Sequence, residues 1–401
     1  MRPASRPSDL PVLVAALALA CVACGGIRAT ETNPPPAEAG ARAPDAASIE
    51  DAGLDVAICP PHEGGFPATD AGPAVAAGFY AFLGQVVLDG QDVVLTCGGV
   101  DPQSYNGALI RTTPDGGAVT VLAQGTADLQ IGTPLAADDA SFYFSAHMGG
   151  PGPESGSIYA LDRSGGVPLK LADTENQVVA IAVDATRLYW TEYGPTIATG
   201  SVRAVPLACG GPVVLAPNQN VGSALAVDAT RIYWSAEVSS EDAGPNGSHG
   251  VILSMPLAGG APTTLVTAAE GYIPYAIAFD GPSLFWAEAQ SGGVDCVGGS
   301  HIVTLPGNGS SRVVLASVTG AGGFVLSPDA VYYADYGPVP CGSEDPTGLG
   351  DVAKVPRAGG PVVTLASGLT GPAALVLDGA NLDFAEIVSE DGAGAVLTVG
   401  N

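Results

Sequence analysis

Residues Ile181 to Gly194 read IAVDATRLYWTEYG and, after a short connection, Gly200 to Ala216 read GSVRAVPLACGGPVVLA. The unit returns from Leu225 as LAVDATRIYWSAE, followed from Gly250 by GVILSMPLAGGAPTTLV. All three tryptophans of the chain, Trp190, Trp234 and Trp286, occupy one position of this unit, and Pro206, Pro256, Pro306 and Pro356 recur at intervals of 50. Self-similarity at a period of about 40–50 residues marks a stacked or radial repeat architecture.

Each unit divides the same way. An apolar run ending in Asp (AIAVD) is a first strand, and an aromatic-rich run (LYWTE) is a second. A variable loop leads to a third strand (SVRAVPL), and a Gly-Gly turn leads to a fourth (PVVLA). Strands apolar on both faces must be covered on both sides. Four-stranded antiparallel sheets stacked face to face around an axis do this, so the expected fold is all-β, a β-propeller. The Asp closing the first strand is expected at Asp89, Asp138, Asp184, Asp228, Asp280, Asp329 and Asp378, at steps of 49, 46, 44, 52, 49 and 49. That count predicts seven four-stranded blades; six, with the divergent first unit left outside, is the alternative.

Seven third strands are followed by only six fourth strands, because the sequence ends at Asn401. The missing one is expected ahead of the first unit, where GPAVAA (Gly72 to Ala77) matches GPVVLA (Gly211 to Ala216). Ala77 stands 12 residues before Asp89, as Ala216 stands 12 before Asp228. An N-terminal strand is therefore expected to complete the last blade and close the ring.

Composition agrees. Of 401 residues 47% are apolar and 13% charged, with 56 Gly and 34 Pro, which suits many short strands and turns. The net charge is −27, with Lys170 and Lys354 the only lysines, so nucleic acid is excluded as a partner class. Three segments are expected: 1–23, a signal; 24–70, a disordered tether; 71–401, the propeller. Arg2 and Arg6 precede an apolar run, Leu10 to Ala23, of signal-peptide length. Its end, LALACVACGG, resembles a bacterial lipoprotein signal, which implies lipidation at Cys24, with Cys21 the other candidate and plain secretion the alternative. The Ala- and Pro-rich stretch that follows cannot bury enough surface to order itself. The expected location is thus the bacterial cell envelope, at the outer membrane or facing the periplasm, held to the membrane only by the lipid anchor.

The run AVD–LYWTE–GG–VVLA is similar to the YWTD-type propellers of lipoprotein-receptor ectodomains and to bacterial TolB-like propellers. The likeness extends over the chain from about Gly72 to Asn401, with the tetrapeptide close in the third, fourth and fifth units. YWTD propellers have six blades, so a count of seven implies a relative by architecture. The resemblance implies a module that binds other proteins.

The first-strand aspartates stand in tight-turn settings such as Asp-Ala-Thr-Arg, where the carboxylate caps backbone N–H groups. The tryptophans are read as blade-to-blade packing. All variable segments fall between second and third strands, hence on one face, where binding is expected on a rigid scaffold. That face gathers carboxylates: Glu192, Glu288, Asp335 and Glu386 two residues after the aromatic position, and Glu237 three after. They form either a rim for a cationic ligand or a basic protein patch, or strand-end acids hydrogen-bonded between blades. His147, His249 and His301 also lie toward it, which defines the alternative function, a propeller lyase or lactonase using these histidines with rim carboxylates. No GxSxG motif and no calcium loop is present, so no catalytic residue, cofactor or metal is assigned. In an oxidising compartment Cys296 with Cys341, in equivalent loops, and Cys59 with Cys97 are disulfide candidates, leaving Cys209 over. The chain is read as a monomeric binding or scaffold module for another envelope or extracellular protein or a cationic ligand.

Overall fold

A computed structural model describes residues 79–80, 85–97, 106–114, 119–148, 155–196, 198–208, 210–238, 249–290, 299–307, 311–337, 350–369, 371–387 and 393–400. It contains seven four-stranded antiparallel sheets, six of them simple meanders and the seventh a three-stranded meander joined by an N-terminal strand, and no helix among those residues. Blade three shows the plan: Val178–Val183, Arg187–Glu192, Gly200–Pro206 and Val213–Gln219 lie side by side in chain order. The first strands of successive blades touch in a closed ring, including the pair from blade one (Val86–Asp89) and blade seven (Leu375–Asp378). The fold is a seven-bladed β-propeller, and the six-blade alternative is set aside.

Why the strands are apolar on both faces is visible along the second strand of blade three, where Leu188 to Glu192 are all buried. Side chains alternate across a strand. Trp190 packs with Tyr143 and Ile158 of blade two, whereas Tyr189 packs with Trp234 and Ile232 of blade four. Trp234 in turn faces blade three, and Trp286 faces Ile252 and Val266 of blade four. All three indoles have 0% exposure, so truncating one to Ala costs on the order of 3–5 kcal/mol.

The ring closes as expected, with an N-terminal strand as the outermost member of blade seven: Phe79 pairs with Gly394 and Tyr80 with Ala393. Gly72–Ala77 lie outside the described residues. Phe79–Tyr80 continue the same alignment, since Tyr80 stands nine residues before Asp89 as Gln219, the end of its strand, stands nine before Asp228. The segments 1–23 and 24–70, with Cys21 and Cys24, also fall outside, as do Cys59, Cys209, Cys296 and Cys341. Cys97 is buried at the end of its strand.

The turn reading holds for Asp138, Asp184 and Asp228. In each, Oδ1 accepts the backbone N–H groups two and three residues on, and Oδ2 accepts the hydroxyl of a tyrosine five residues on: Tyr143, Tyr189 and Tyr233. Burial pulls these carboxyls up, but the hydrogen bonds outweigh it and leave them below the ordinary value. Asp89, Asp280 and Asp378 instead end two-residue hairpins whose first turn residue is Gly90, Gly281 or Gly379, with φ of 68°, 53° and 57°, which only glycine adopts without strain. Asp329 is a correction. The turn of blade six is closed by Ser327, whose N–H donates to the Ala330 carbonyl at 2.9 Å as that of Asp184 does to Arg187 at 3.0 Å. Ser327 Oγ accepts the Ala330 N–H, and Asp329 merely accepts the Ser327 hydroxyl. A short oxygen-bearing side chain is what the turn requires, and serine meets that need two residues earlier.

Candidate functional site

The meander puts the second-to-third connections at one end of the ring, together with the passages from blade to blade. The Asp turns and the third-to-fourth turns share the other end. The second-to-third connections vary from five residues (388–392) to fourteen (336–349). Most of their residues, at 98–105, 149–154, 239–248, 291–298, 338–349 and 388–392, lie outside the described set.

The strand-end acids expected at this rim divide into classes. Glu288, fully buried, accepts the Trp286 indole N–H at 2.8 Å on Oε2. Its Oε1 receives Arg312 at 2.6 Å and faces His301 Nδ1 at 3.3 Å. The guanidinium of Arg312 lies 5.9 Å from the Trp286 ring centre, and His301 stacks on Tyr272 at 4.6 Å. Glu192, 1% exposed, repeats the scheme: Trp190 and Ser201 donate to it, and Arg203 Nε lies at 2.6 Å while its other end reaches Glu175 of blade two. Burial pushes the Glu192 carboxyl up, against the opposing pull of Arg203 and the two donors. These carboxylates point into blade interfaces and hold tryptophans there, instead of facing outward. In blade four Ala236 stands at this position, and Trp234 Nε1–H has no acceptor among the described residues.

Asp335 is another kind of clasp. It accepts backbone N–H groups of Thr319, Gly320 and Gly337, each at 3.0 Å, and so ties the entry of blade six to the chain leaving its second strand. Beside it the Tyr275 hydroxyl donates to the Ala321 carbonyl at 2.7 Å, and burial together with Tyr336, Asp335 and Glu288 drives its pKa well above the ordinary range. Glu386 is buried, and Glu237 is half-buried at its strand end.

The three histidines are not gathered in one place by register. His147 pairs with Gly156 in blade two, His249 with Val238 in blade four, and His301 with Glu288 in blade five. His301 is brought to a predicted carboxylate, Glu288. With Nδ1–H held by Glu288, the imidazole is fixed in orientation with Nε2 directed away; that tautomer is the one in which the contact is a hydrogen bond. No hydroxyl nucleophile is hydrogen-bonded to His301, and no group of three His, Cys, Asp or Glu is placed to hold a metal, among the described residues. The arrangement fixes an imidazole ring and a tryptophan.

Arg312, Arg203, Tyr272 and Tyr275 were not anticipated. The arginines carried a weak signal: in a chain with 13 Lys and Arg against 40 Asp and Glu, each cation has many anions to choose from, and 24 residues separate Arg312 from Glu288. Toward the opposite face, Arg163 donates to Asp138 O of its own blade two at 2.7 Å and reaches into blade one, donating to Leu88 O and Asp89 at 2.9 Å each. Arg357 of blade six pairs with Asp280 of blade five in the equivalent way.

No family model matches this chain, and no curated protein matches it. Solved structures do. The β-propeller domain of the Trilobed protease from Pyrococcus furiosus, reported to have an open velcro topology, aligns at TM-score 0.57 and 10% identity, covering 80% of this chain and 96% of that one. A chain of the mitotic checkpoint complex aligns at TM-score 0.51 and 12% identity, covering 88% of this chain and 100% of that one. A protein of Agrobacterium tumefaciens assigned as TolB aligns at TM-score 0.42 and 16% identity, covering 71% and 94%, a likeness too low to carry argument. At these identities the comparisons establish the β-propeller fold and nothing about activity.

Proposed function

We propose that this chain is an exported, lipid-anchored propeller that binds another envelope or extracellular protein through the face bearing the second-to-third connections. The observation that supports this is the segregation of length variation. On the opposite face the first turns are two or three residues long, and the third-to-fourth turns stay at six or seven, whereas the second-to-third connections on the binding face range from 388–392 to 336–349. A closed ring of packed sheets is a rigid base, and insertions confined to one end of it provide a surface that alters without disturbing the core.

Neutralisation of Glu192 and Glu288 inside the blades leaves recognition to the loops and to Glu237. With a net charge of −27, the complementary partner surface is basic. Cys24 is the proposed lipid attachment point, and 24–70 the spacer that stands the propeller off the membrane.

A photo-crosslinking amino acid placed singly in 239–248, 291–298 and 338–349 of the full-length protein tests the binding face, with Ala185 and Ala229 on the Asp turns as controls. One common protein adduct from the loop positions, absent from the controls, is expected. Equal labelling from both faces, or none from the loops, refutes the proposal. Cys24→Ser is expected to leave the detergent phase on partitioning; retention there refutes lipidation at that residue.

A further inference from the structure

The groove between neighbouring blades on the Asp-turn face is filled at most junctions by one side chain, the residue that follows the third strand. Arg163 fills the junction of blades one and two, where it meets Asp89. Leu207 packs into the cluster holding Tyr143 and Trp190, and Leu257 into that holding Tyr189 and Trp234. Arg357 lies 5.2 Å from the ring centre of Phe285 in blade five and pairs with Asp280. Three of these follow the recurring prolines Pro206, Pro256 and Pro356. After Pro306 the chain instead places Gly307.

At the junction of blades four and five that side chain is absent, and a Cβ on Gly307 would stand 2.4 Å from Pro282, which occupies its place. Beside them lies a cleft of about 530 Å³ lined by both blades. Its apolar wall is Tyr233 and Phe279, ring centres 4.1 Å apart, with Leu284 and Leu305.

One cation lies at this cleft. Arg231 Nε and Nη2 donate to Ser254 Oγ at 3.1 and 2.7 Å, and Nη2 approaches Thr263 Oγ1 at 3.5 Å. The equivalent Arg187 of blade three reaches across its junction to the Leu257 carbonyl. Arg231 does not cross, and no carboxylate pairs with its guanidinium among the described residues. Asp228, at the same cleft, is committed elsewhere: Oδ1 accepts Thr230 N–H, Thr230 Oγ–H and the Arg231 backbone N–H, while Oδ2 accepts the Tyr233 hydroxyl. A guanidinium steadied by hydroxyls alone, beside an aromatic wall, is a receptor for a planar anion.

We propose that the cleft between blades four and five binds a small monocarboxylate carrying an aromatic or branched apolar body, with the carboxylate on Arg231 and the body against Tyr233 and Phe279. A single cation beside the fixed charge of Asp228 suits one negative charge, and the volume admits a molecule of metabolite size. This site is on the face opposite the proposed protein-binding loops and does not depend on that reading.

The test uses the purified full-length protein with 4-fluorophenylacetate as probe and 4-fluorophenylacetamide as its neutral counterpart, followed by fluorine NMR. Saturable binding of the acid, at least about tenfold tighter than the amide, is expected. Arg231→Gln should bring the acid down to the affinity of the amide. Thr263→Glu, at an exposed strand position, should do the same by supplying an internal carboxylate, and it keeps the test decisive if the first variant folds poorly. Absence of saturable binding, equal affinity for acid and amide, or unchanged preference in both variants overturns the proposal.

Discussion

Glu288→Ala removes the one acceptor shared by Trp286, Arg312 and His301. The indole N–H of Trp286 is left buried with no partner, a loss of about 1–3 kcal/mol. Breaking a fully buried ion pair costs about 3–5 kcal/mol, but Arg312 and His301 keep side-chain exposures of 27% and 21% and regain water, which draws the charge contribution to the low end. The expected total is about 3 kcal/mol. Glu288→Gln keeps an oxygen for the indole but replaces the acceptor facing Arg312 and His301 with an amide NH2, so it should cost less than the alanine variant, about 1–2 kcal/mol. Blade four supplies the internal comparison. Trp234→Phe should sacrifice no hydrogen bond and cost only the cavity the smaller ring leaves, whereas Trp286→Phe should cost about 1 kcal/mol less in the Glu288→Ala background than in the parent, because there it also deletes the orphaned donor. Urea unfolding followed by tryptophan fluorescence reads these differences as midpoint shifts at unchanged slope. A Glu288→Ala protein within about 0.5 kcal/mol of the parent, or a Gln variant as costly as Ala, would refute the reasoning.

Arg163→Met keeps the apolar stem over Phe142 but removes three hydrogen bonds into blade one and the Asp138 turn, and should cost about 2–3 kcal/mol, read by the same urea titration. Stability should decline at alkaline pH. Burial and the bond to Asp228 raise Tyr233 from 10.0 to about 12, so the unfolded chain releases its proton first, and the contribution present below pH 10 is lost between 10 and 12. Tyr143 and Tyr189 are raised by the same pairing, and a melting temperature that falls less steeply over that window in Tyr233→Phe would confirm the source. Deleting residues 1–80 removes Phe79–Tyr80 and leaves Ala393–Gly400 as an open edge, so a lower melting temperature and concentration-dependent association in light scattering are expected.

Much of the fold was legible because it is local and repeated. Asp184, Tyr189 and Trp190 sit within one turn and one strand, and their spacing recurs wherever the same contacts are needed. Blade six shows the limit of that reading. Asp329 fits the period by identity, yet Ser327 performs the turn, because the turn asks for a nearby oxygen acceptor and does not distinguish a carboxylate from a hydroxyl. Strand-end acids were legible as positions but not as directions. Whether Glu288 faces solvent or a tryptophan is decided by His301 on the next strand and by Arg312 in the turn that precedes the fourth, and nothing in the LFWAE run records them.

By itself the sequence determined the blade, its number and its closure, since each follows from a period and from the need of apolar strands to be covered on both faces. The tertiary structure alone decided what happens between blades. Gly307 is visible as the one glycine that follows a recurring proline, but the cleft beside it exists only where Tyr233 and Arg231 of one sheet meet Phe279 and Pro282 of the next. Contacts across a blade junction join residues tens of positions apart, and their geometry is set by how two sheets pack rather than by either strand's own pattern.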